Sequence, residues 1–391
     1  MTRIYFDNAA TTQVDPQVLE AMLPYFSEKF GNPSSIHSFG QEAESALEEA
    51  REQAAETLGC KPKEIIFTSG ATESNNLAIL GVAEKFKNDK PHFITSKIEH
   101  PSVLETFETL RKRGFAVDFV NIDKKGILKL SELKKLIRKN TVLISVMYAN
   151  NEIGTVQPIK EIGELIVKEK ESRKEKNLPI YLHSDIAQAF NYLPCKVDYL
   201  KCDLITVSGQ KIFGPKGVGV LYIKDNTKIS PITFGGHHEL GLRPGTINVP
   251  LIVGIAKAME IAEKDREANI KKVKSLRDKL FEQIQKINDT QLNGDLEKRI
   301  PNNLNISFKG AEGESILMML DMEGIAISTG SACSSGSLEP SHVLTAMGIK
   351  PEWTHGSVRI SLGKFNTEVE VNQFLKVLPL IIDKLREMAP K

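Results

Sequence analysis

The sequence predicts an α/β fold, with a large domain on a mostly parallel sheet and a smaller α+β domain beside it. Three observations carry this expectation. Seven short apolar runs between about residues 60 and 225 alternate with amphipathic stretches. A chain of 391 residues exceeds what one hydrophobic core usually holds. After Pro250 the alternation stops, and a long helical pattern leads into a region that mixes strand-like segments with a terminal helix.

The elements follow in order. "MTRIYFDNAATT" reads as a strand and turn and has no signal-peptide core. "EIIFTS", "HFITSK", "AVDFVNI", "TVLISVMYAN", "IYLHSD", "LITVSG" and "GVGVLYI" read as the seven strands. Helices between strands imply a parallel sheet covered on both faces, with ligands bound outside the carboxyl ends of its strands. The polar residues after each strand are therefore the candidates for function. Residues 159–177 begin amphipathic and end in a charge run, the pattern of a solvated crossover helix and its loop. Beyond Pro250, Met259, Ala262, Ile270, Val273, Leu276, Leu280, Ile284 and Ile287 fall near one helical face and open a second domain of about 130 residues. "NNLNISF" and "SVRISL" are its strands.

Composition excludes several classes. The 41% hydrophobic and 26% charged content is that of a soluble globular protein. With 51 Lys+Arg against 50 Asp+Glu, the chain carries no field that would gather nucleic acid, and no direct nucleic-acid contact is expected. No apolar run approaches the roughly 20 residues of a membrane helix. Cys60, Cys195, Cys202 and Cys333 show no C-x-x-C spacing, so neither a disulfide framework nor a zinc site is expected and the compartment is read as cytoplasmic.

The chemistry is approached by elimination and then by fit. A Walker-type loop needs Gly followed by Lys and Ser/Thr, but Gly214 is followed by Pro215. His237 and His238 lack metal-ligand spacing and read as loop histidines. Pyridoxal phosphate (PLP) needs a lysine for a Schiff base, an acid at the pyridine nitrogen, and amides or hydroxyls around its phosphate. "FTSGATESNN" (67–76) runs from strand to helix, and its first amides with Thr72 suit a phosphate, though an ordinary capped helix start reads the same way. "YLHSDIAQ" (181–188) ends a strand on Asp185, which shares a face with His183; a lone strand-end Asp is also a common turn residue. "VSGQKIFGPKG" supplies Lys211, with Ser208 and Gln210 for phosphate, and places the lysine either on an exposed hairpin tip or in a pocket. No one segment decides; their order and placement together point to PLP.

With "YFDNAATT" (5–12), "GNPSSIH" (31–37), "IEHPSV" (98–103), "NNEIGTVQPI" (150–159), "LRPGTINV" (242–249), "STGSACSSGSLEPSHVL" (328–344) and "GSVRISLGKFNTEVEV" (356–371), these segments give a match that runs nearly end to end. The chain resembles the NifS/IscS-type cysteine desulfurases, a group within the fold-type I, class V aminotransferases. The resemblance implies residues 16–254 as the large PLP-binding domain, and 1–15 with 255–391 as the small one. It implies that Lys211 bonds the cofactor, that His100 stacks on its ring and shuttles a proton from the substrate thiol, and that Asp185 pairs with the ring nitrogen. Gln188 and Asn151 would lie near the ring hydroxyl. Ala71, Thr72, Ser208 and Gln210 would bind phosphate, joined by Thr246 from a partner subunit, which implies a homodimer. Arg359 would hold the substrate carboxylate, with Asn151 nearby, a task suited to guanidinium.

Cys333 sits in a glycine- and serine-rich run too small and polar to pack. By the resemblance it is the thiol that takes sulfur from L-cysteine and passes it to an acceptor protein for iron–sulfur assembly or tRNA thiolation. No metal site is expected beyond Cys333 as a transient iron–sulfur ligand. Alternatives are a selenocysteine lyase, a class V aminotransferase, or a non-catalytic sulfur-relay scaffold. Two departures stand out. Gln210 replaces the histidine that most members place before the lysine, which predicts differently tuned cofactor binding. The sequence ends at "LREMAPK", where many relatives carry a tail that docks a scaffold protein, so that partner is not assumed.

Overall fold

The computed structural model describes residues 3–173, 178–329 and 340–388. Its strands are β1 (Ile4–Tyr5), β2 (Ile65–Thr68), β3 (His92–Ser96), β4 (Ala116–Val120), β5 (Thr141–Ser145), β6 (Tyr181–Asp185), β7 (Leu204–Ser208), β8 (Gly219–Ile223), β9 (Thr290–Leu292), β10 (Asn303–Phe308), β11 (Ile325–Ala326) and β12 (Ser357–Ser361). The seven expected strands form one sheet in the order β2-β8-β7-β6-β5-β3-β4. Only β8 runs against its neighbours. The carboxyl ends of β2, β3, β5, β6 and β7 therefore share one edge.

Strand periodicity explains why the sheet is apolar on both faces. Phe93 and Ile94, Leu143 and Ile144, and Leu204 and Ile205 are adjacent pairs whose members join different cores. On one face the helices Ala71–Phe86 and Pro101–Lys112 cover the sheet through Leu77, Val82, Phe107 and Leu110. On the other lie the helices Ser38–Leu58 and Ile159–Ser172, the latter the expected crossover. The helical pattern after Pro250 is two helices, Val249–Lys264 and Arg266–Ile284, meeting at Asp265. Met259, Ala262 and Val273 pack with the large sheet's core, whereas Leu276, Leu280 and Ile284 pack with Phe6, Ile306, Phe308 and Phe374 in a second core. The small sheet has the order β12-β10-β9. The N-terminus joins it, since β1 pairs with β11 and Asp7 bridges to Ser361.

His183 lies fully buried in the middle of the large sheet, 2.8 Å from Ser145 Oγ through Nδ1 and 3.1 Å from Thr206 Oγ1 through Nε2. Burial holds its pKa down, to about 4. The unfolded chain binds a proton here from about pH 6.5 downward and the folded chain does not, so stability falls as pH drops between 6.5 and 4, by on the order of 3 kcal/mol. His183→Gln should flatten that slope in urea midpoints measured across pH 7 to 4. Identical slopes in the two proteins would contradict the assignment.

Candidate active site

A cavity of about 370 Å³ opens at the shared strand edge. Each strand delivers one wall. β6 ends on Asp185, 7% exposed, whose Oδ2 accepts from Asn75 Nδ2 at 2.8 Å and whose Oδ1 accepts from the Ala187 amide at 3.0 Å. β7 ends on Ser208 and passes into the short helical turn Gly209–Lys211. Lys211 thus lies in the β7–β8 hairpin connection, half-buried and lining the cavity, the pocket placement of the two left open by the sequence. Its Nζ donates to the carbonyls of Ala9 and Ala10 at 2.7 and 2.5 Å, so the N-terminal segment lies against the lysine. Gln188 Nε2 also donates to Ala9 O, at 2.9 Å.

The glycines of this hairpin permit close approach. A Cβ at Gly219, where β8 begins, would sit 2.7 Å from the main chain of Gly70. The hairpin is thereby pressed against the β2-to-helix turn. Gly70 itself has φ 148°, outside the range of most side-chain-bearing residues, and no side chain caps the helix Ala71–Phe86 that it starts. An uncapped helix start facing a cavity leaves amide donors for an anion. Phe213, two residues after Lys211, takes a left-handed φ of 62°, fixed by its amide donating to Thr12 Oγ1 at 2.8 Å and its carbonyl accepting from Asp15 at 2.9 Å.

The opposite wall comes from His100, Asn151 and Arg359. His100 caps the helix Pro101–Lys112 and accepts the Ser102 amide at Nδ1, 3.1 Å away. Ser102 Oγ accepts from Asn75 at 2.8 Å and turns its own proton to the same Nδ1, at 2.9 Å. The neutral ring therefore carries its proton on Nε2. Burial lowers the His100 pKa, Asp185 opposes that shift, and Lys211 and His342 add to it. Glu99, fully buried beside it, is pushed up to about 8 by burial, against hydrogen bonds from Ser96 and the Met147 amide, with Asp185 adding to the rise.

Arg359 on β12 is 3% exposed. One guanidinium nitrogen donates to Asn151 O at 3.0 Å, a second to Asp7 Oδ1 at 2.8 Å, and Nε has no partner. A buried, unpartnered donor on a cavity wall is set up for an anionic group.

Residues 4–374 match the aminotransferase class-V family, nearly the whole chain. The chain belongs to the class-V aminotransferase family. It is 49% identical to "Cysteine desulfurase IscS" of Dictyoglomus turgidum over 388 residues, covering 99% of this chain and 96% of that one. Among solved structures, a "NIFS-LIKE PROTEIN" superposes with TM-score 0.91 at 42% identity, covering 98% of this chain and 100% of the other. "SspA in complex with cysteine" superposes with TM-score 0.80 at 38% identity, over 94% of this chain and 100% of the other.

Enzymes of this class-V family use PLP, and the residues present fit it. The uncapped helix start with Ala71 and Thr72, together with Ser208 and Gln210, would take the phosphate. Asp185 would take the ring nitrogen and Lys211 the aldehyde, and Gln188 and Asn151 line the same cavity. Thr246 is exposed and does not line it. Cys333 lies outside the described residues. The other three thiols are pushed up by burial, Cys60 and Cys195 to about 12 and Cys202 well above its ordinary value, as expected of inert cysteines. The reading from sequence missed Asp7 on Arg359, Asn75 on Asp185 and the Ala9–Ala10 carbonyls on Lys211. Asp7 and Arg359 lie 352 positions apart, and only the β1, β11 and β12 pairings bring them together.

Proposed function

We propose that this protein is a cysteine desulfurase that takes sulfur from L-cysteine, releases L-alanine and holds the sulfur as a persulfide on Cys333. The observation that carries the reading is that the chain enters the Cys333 segment directly from the substrate wall. Ser328 is bridged to Arg359 by both main-chain hydrogen bonds, at 3.1 and 2.6 Å. Cys333 comes five positions after Ser328, a span of at most roughly 17 Å. The SspA relative, solved in complex with cysteine, supports the substrate class.

Arg359 holds the substrate carboxylate, with Nε as the unpartnered donor. Bound PLP supplies a carbonyl for the amino group and a ring that takes up the electron pair left at Cα. Lys211 moves the Cα proton, and Asp185 favours a protonated ring nitrogen. His100, neutral and protonated on Nε2, can donate that proton in a hydrogen bond to the substrate sulfur, and the thiol's own proton stays on the sulfur as it is transferred. The Cys333 thiolate attacks the substrate sulfur: an S–S bond forms and the Cβ–S bond breaks. The electron pair of that bond stays on carbon, which takes a proton and leaves as alanine. Sulfur then passes to an acceptor protein, for iron–sulfur assembly or tRNA thiolation.

A homodimer is part of this reading. A cleft of about 670 Å³ is lined by Pro33, Ser34, His238 and Leu240, and exposed apolar side chains stand close by in sequence. Ile36 is 93% exposed, Phe234 86% and Leu240 68%, apolar surface that a partner subunit would cover. Ser34 Oγ lies 3.3 Å from His238 Nε2, joining the two segments that carry them. Ile36→Asp with Phe234→Asp should yield monomers in sedimentation that lose cofactor, because Thr246 would no longer reach a neighbouring site. A monomeric wild type would contradict the dimer.

The function is tested by incubating purified protein with PLP, L-cysteine and a reductant. Alanine and sulfide should appear in equal amounts. Keto-acid-dependent amino transfer without sulfide would indicate an aminotransferase instead.

A further inference from the structure

Glu152 is a buried carboxylate with no part in the chemistry above. It is 4% exposed and does not line the cavity. Among the described residues its only neighbour within ion-pair range is His342, whose Nδ1 lies 4.0 Å from Oε1. Removing a carboxylate from water without a bonded cation is unfavourable by several kcal/mol. Such a placement calls for a local reason.

The main chain around it is held from several sides. Asn150 Oδ1 accepts from the amides of Glu152 and Ile153 at 2.9 Å each. Asn303 and Asn305 donate their side-chain amides to Glu152 O at 3.2 and 3.3 Å. Gly154 closes the turn at φ 72°, where a Cβ would meet Asn303 at 2.8 Å. From this fixed turn the side chain reaches Ser341, whose Oγ lies 2.5 Å from Oε2. Ser341 Oγ already accepts from the amides of Val343 and Leu344, at 3.2 Å each, so its single proton goes to Glu152. The next residue adds a second tie. His342 Nε2 must donate to the Glu99 carbonyl, 3.0 Å away, since a carbonyl only accepts. Val343 and Leu344 then pack on Ile98, Ile122 and Ile153.

Ser341 and His342 follow the Cys333 segment within the first three described residues after it. Glu152 therefore fastens this stretch to the turn whose Asn151 carbonyl receives Arg359, and His342 fastens it to the residue before His100. Ahead of that segment, Ser328 is tied to the same wall through Arg359. We propose that Glu152 is a positioning residue: through Ser341 it anchors the chain just after the Cys333 segment, and this anchor serves the delivery of the thiol to the substrate sulfur. It touches neither substrate nor cofactor. The proposal rests on the desulfurase reading.

The test compares Glu152→Ala, Glu152→Gln and Ser341→Ala with wild-type holoenzyme. Three quantities are read: alanine release, the half-saturating L-cysteine for the absorbance change at the cofactor, and the melting temperature. Glu152→Ala should lower kcat for alanine roughly 10- to 100-fold, the scale of a misplaced reacting group. Half-saturation should stay within about twofold, because substrate engagement does not need the thiol. Ser341→Ala should show the same split. Glu152→Gln can still accept from Ser341 through its carbonyl, and should recover most of the loss. Wild-type kcat in Glu152→Ala would overturn the proposal. So would a joint collapse of kcat, half-saturation and melting temperature in all three variants, or a Glu152→Gln as impaired as Ala while still folded. If the wild type releases no alanine at all, the failure lies with the desulfurase reading itself.

Discussion

Lys211→Ala should fall in alanine release by roughly ten-thousandfold, the upper range for loss of a positioned proton carrier. On the proposed mechanism one substitution removes two functions, covalent attachment of the cofactor and transfer of the Cα proton. The fold has little reason to suffer, because Lys211 is half-buried on the wall of an open cavity rather than packed in a core. The variant should take up PLP noncovalently, so that borohydride no longer fixes cofactor to protein, and small primary amines added to the medium should restore part of the turnover. A variant keeping a hundredth of wild-type activity, or reduced cofactor still bonded to the chain, would remove Lys211 from the role given to it.

Cys333→Ala should be nearly as severe and differently shaped. Turnover should drop by roughly a thousandfold if Cys333 is the thiol nucleophile proposed above, since nothing would replace it. Cofactor content and the L-cysteine-induced absorbance change should stay at wild-type levels, because Arg359, Lys211 and Asp185 are untouched. Cys60→Ala and Cys195→Ala are the controls, with turnover unchanged: burial has pushed both thiols up to about 12, far from the thiolate that attack requires. Loss of turnover in a control with full activity in Cys333→Ala would move the sulfur carrier elsewhere.

The large sheet was legible in the sequence for a physical reason. Strands buried on both faces read as apolar runs, and all seven runs became strands of the sheet, the part-exposed edge strand β4 included. Direction was less legible, since nothing in "GVGVLYI" shows that β8 alone runs antiparallel. Periodicity found the helices after Pro250 but not their core, because Met259 and Leu280 follow one pattern and pack in different clusters. The same contrast holds in the site. Lys211, Asp185 and Ser208 stand at strand ends, where topology alone makes a polar residue conspicuous. Asp7, Asn75 and Glu152 act through partners 352, 110 and 189 positions away, and no local pattern carries that information.

The most direct measurement is a single-turnover mass analysis of the protein itself. Wild-type holoenzyme is mixed with substoichiometric L-cysteine, quenched with an alkylating agent, digested, and the peptide containing residue 333 is weighed. The mechanism predicts that this peptide gains one sulfur atom in step with alanine release, and that no other cysteine peptide does. Alanine formed while the sulfur leaves as free sulfide, with the residue 333 peptide unmodified at every time point, would contradict the persulfide route.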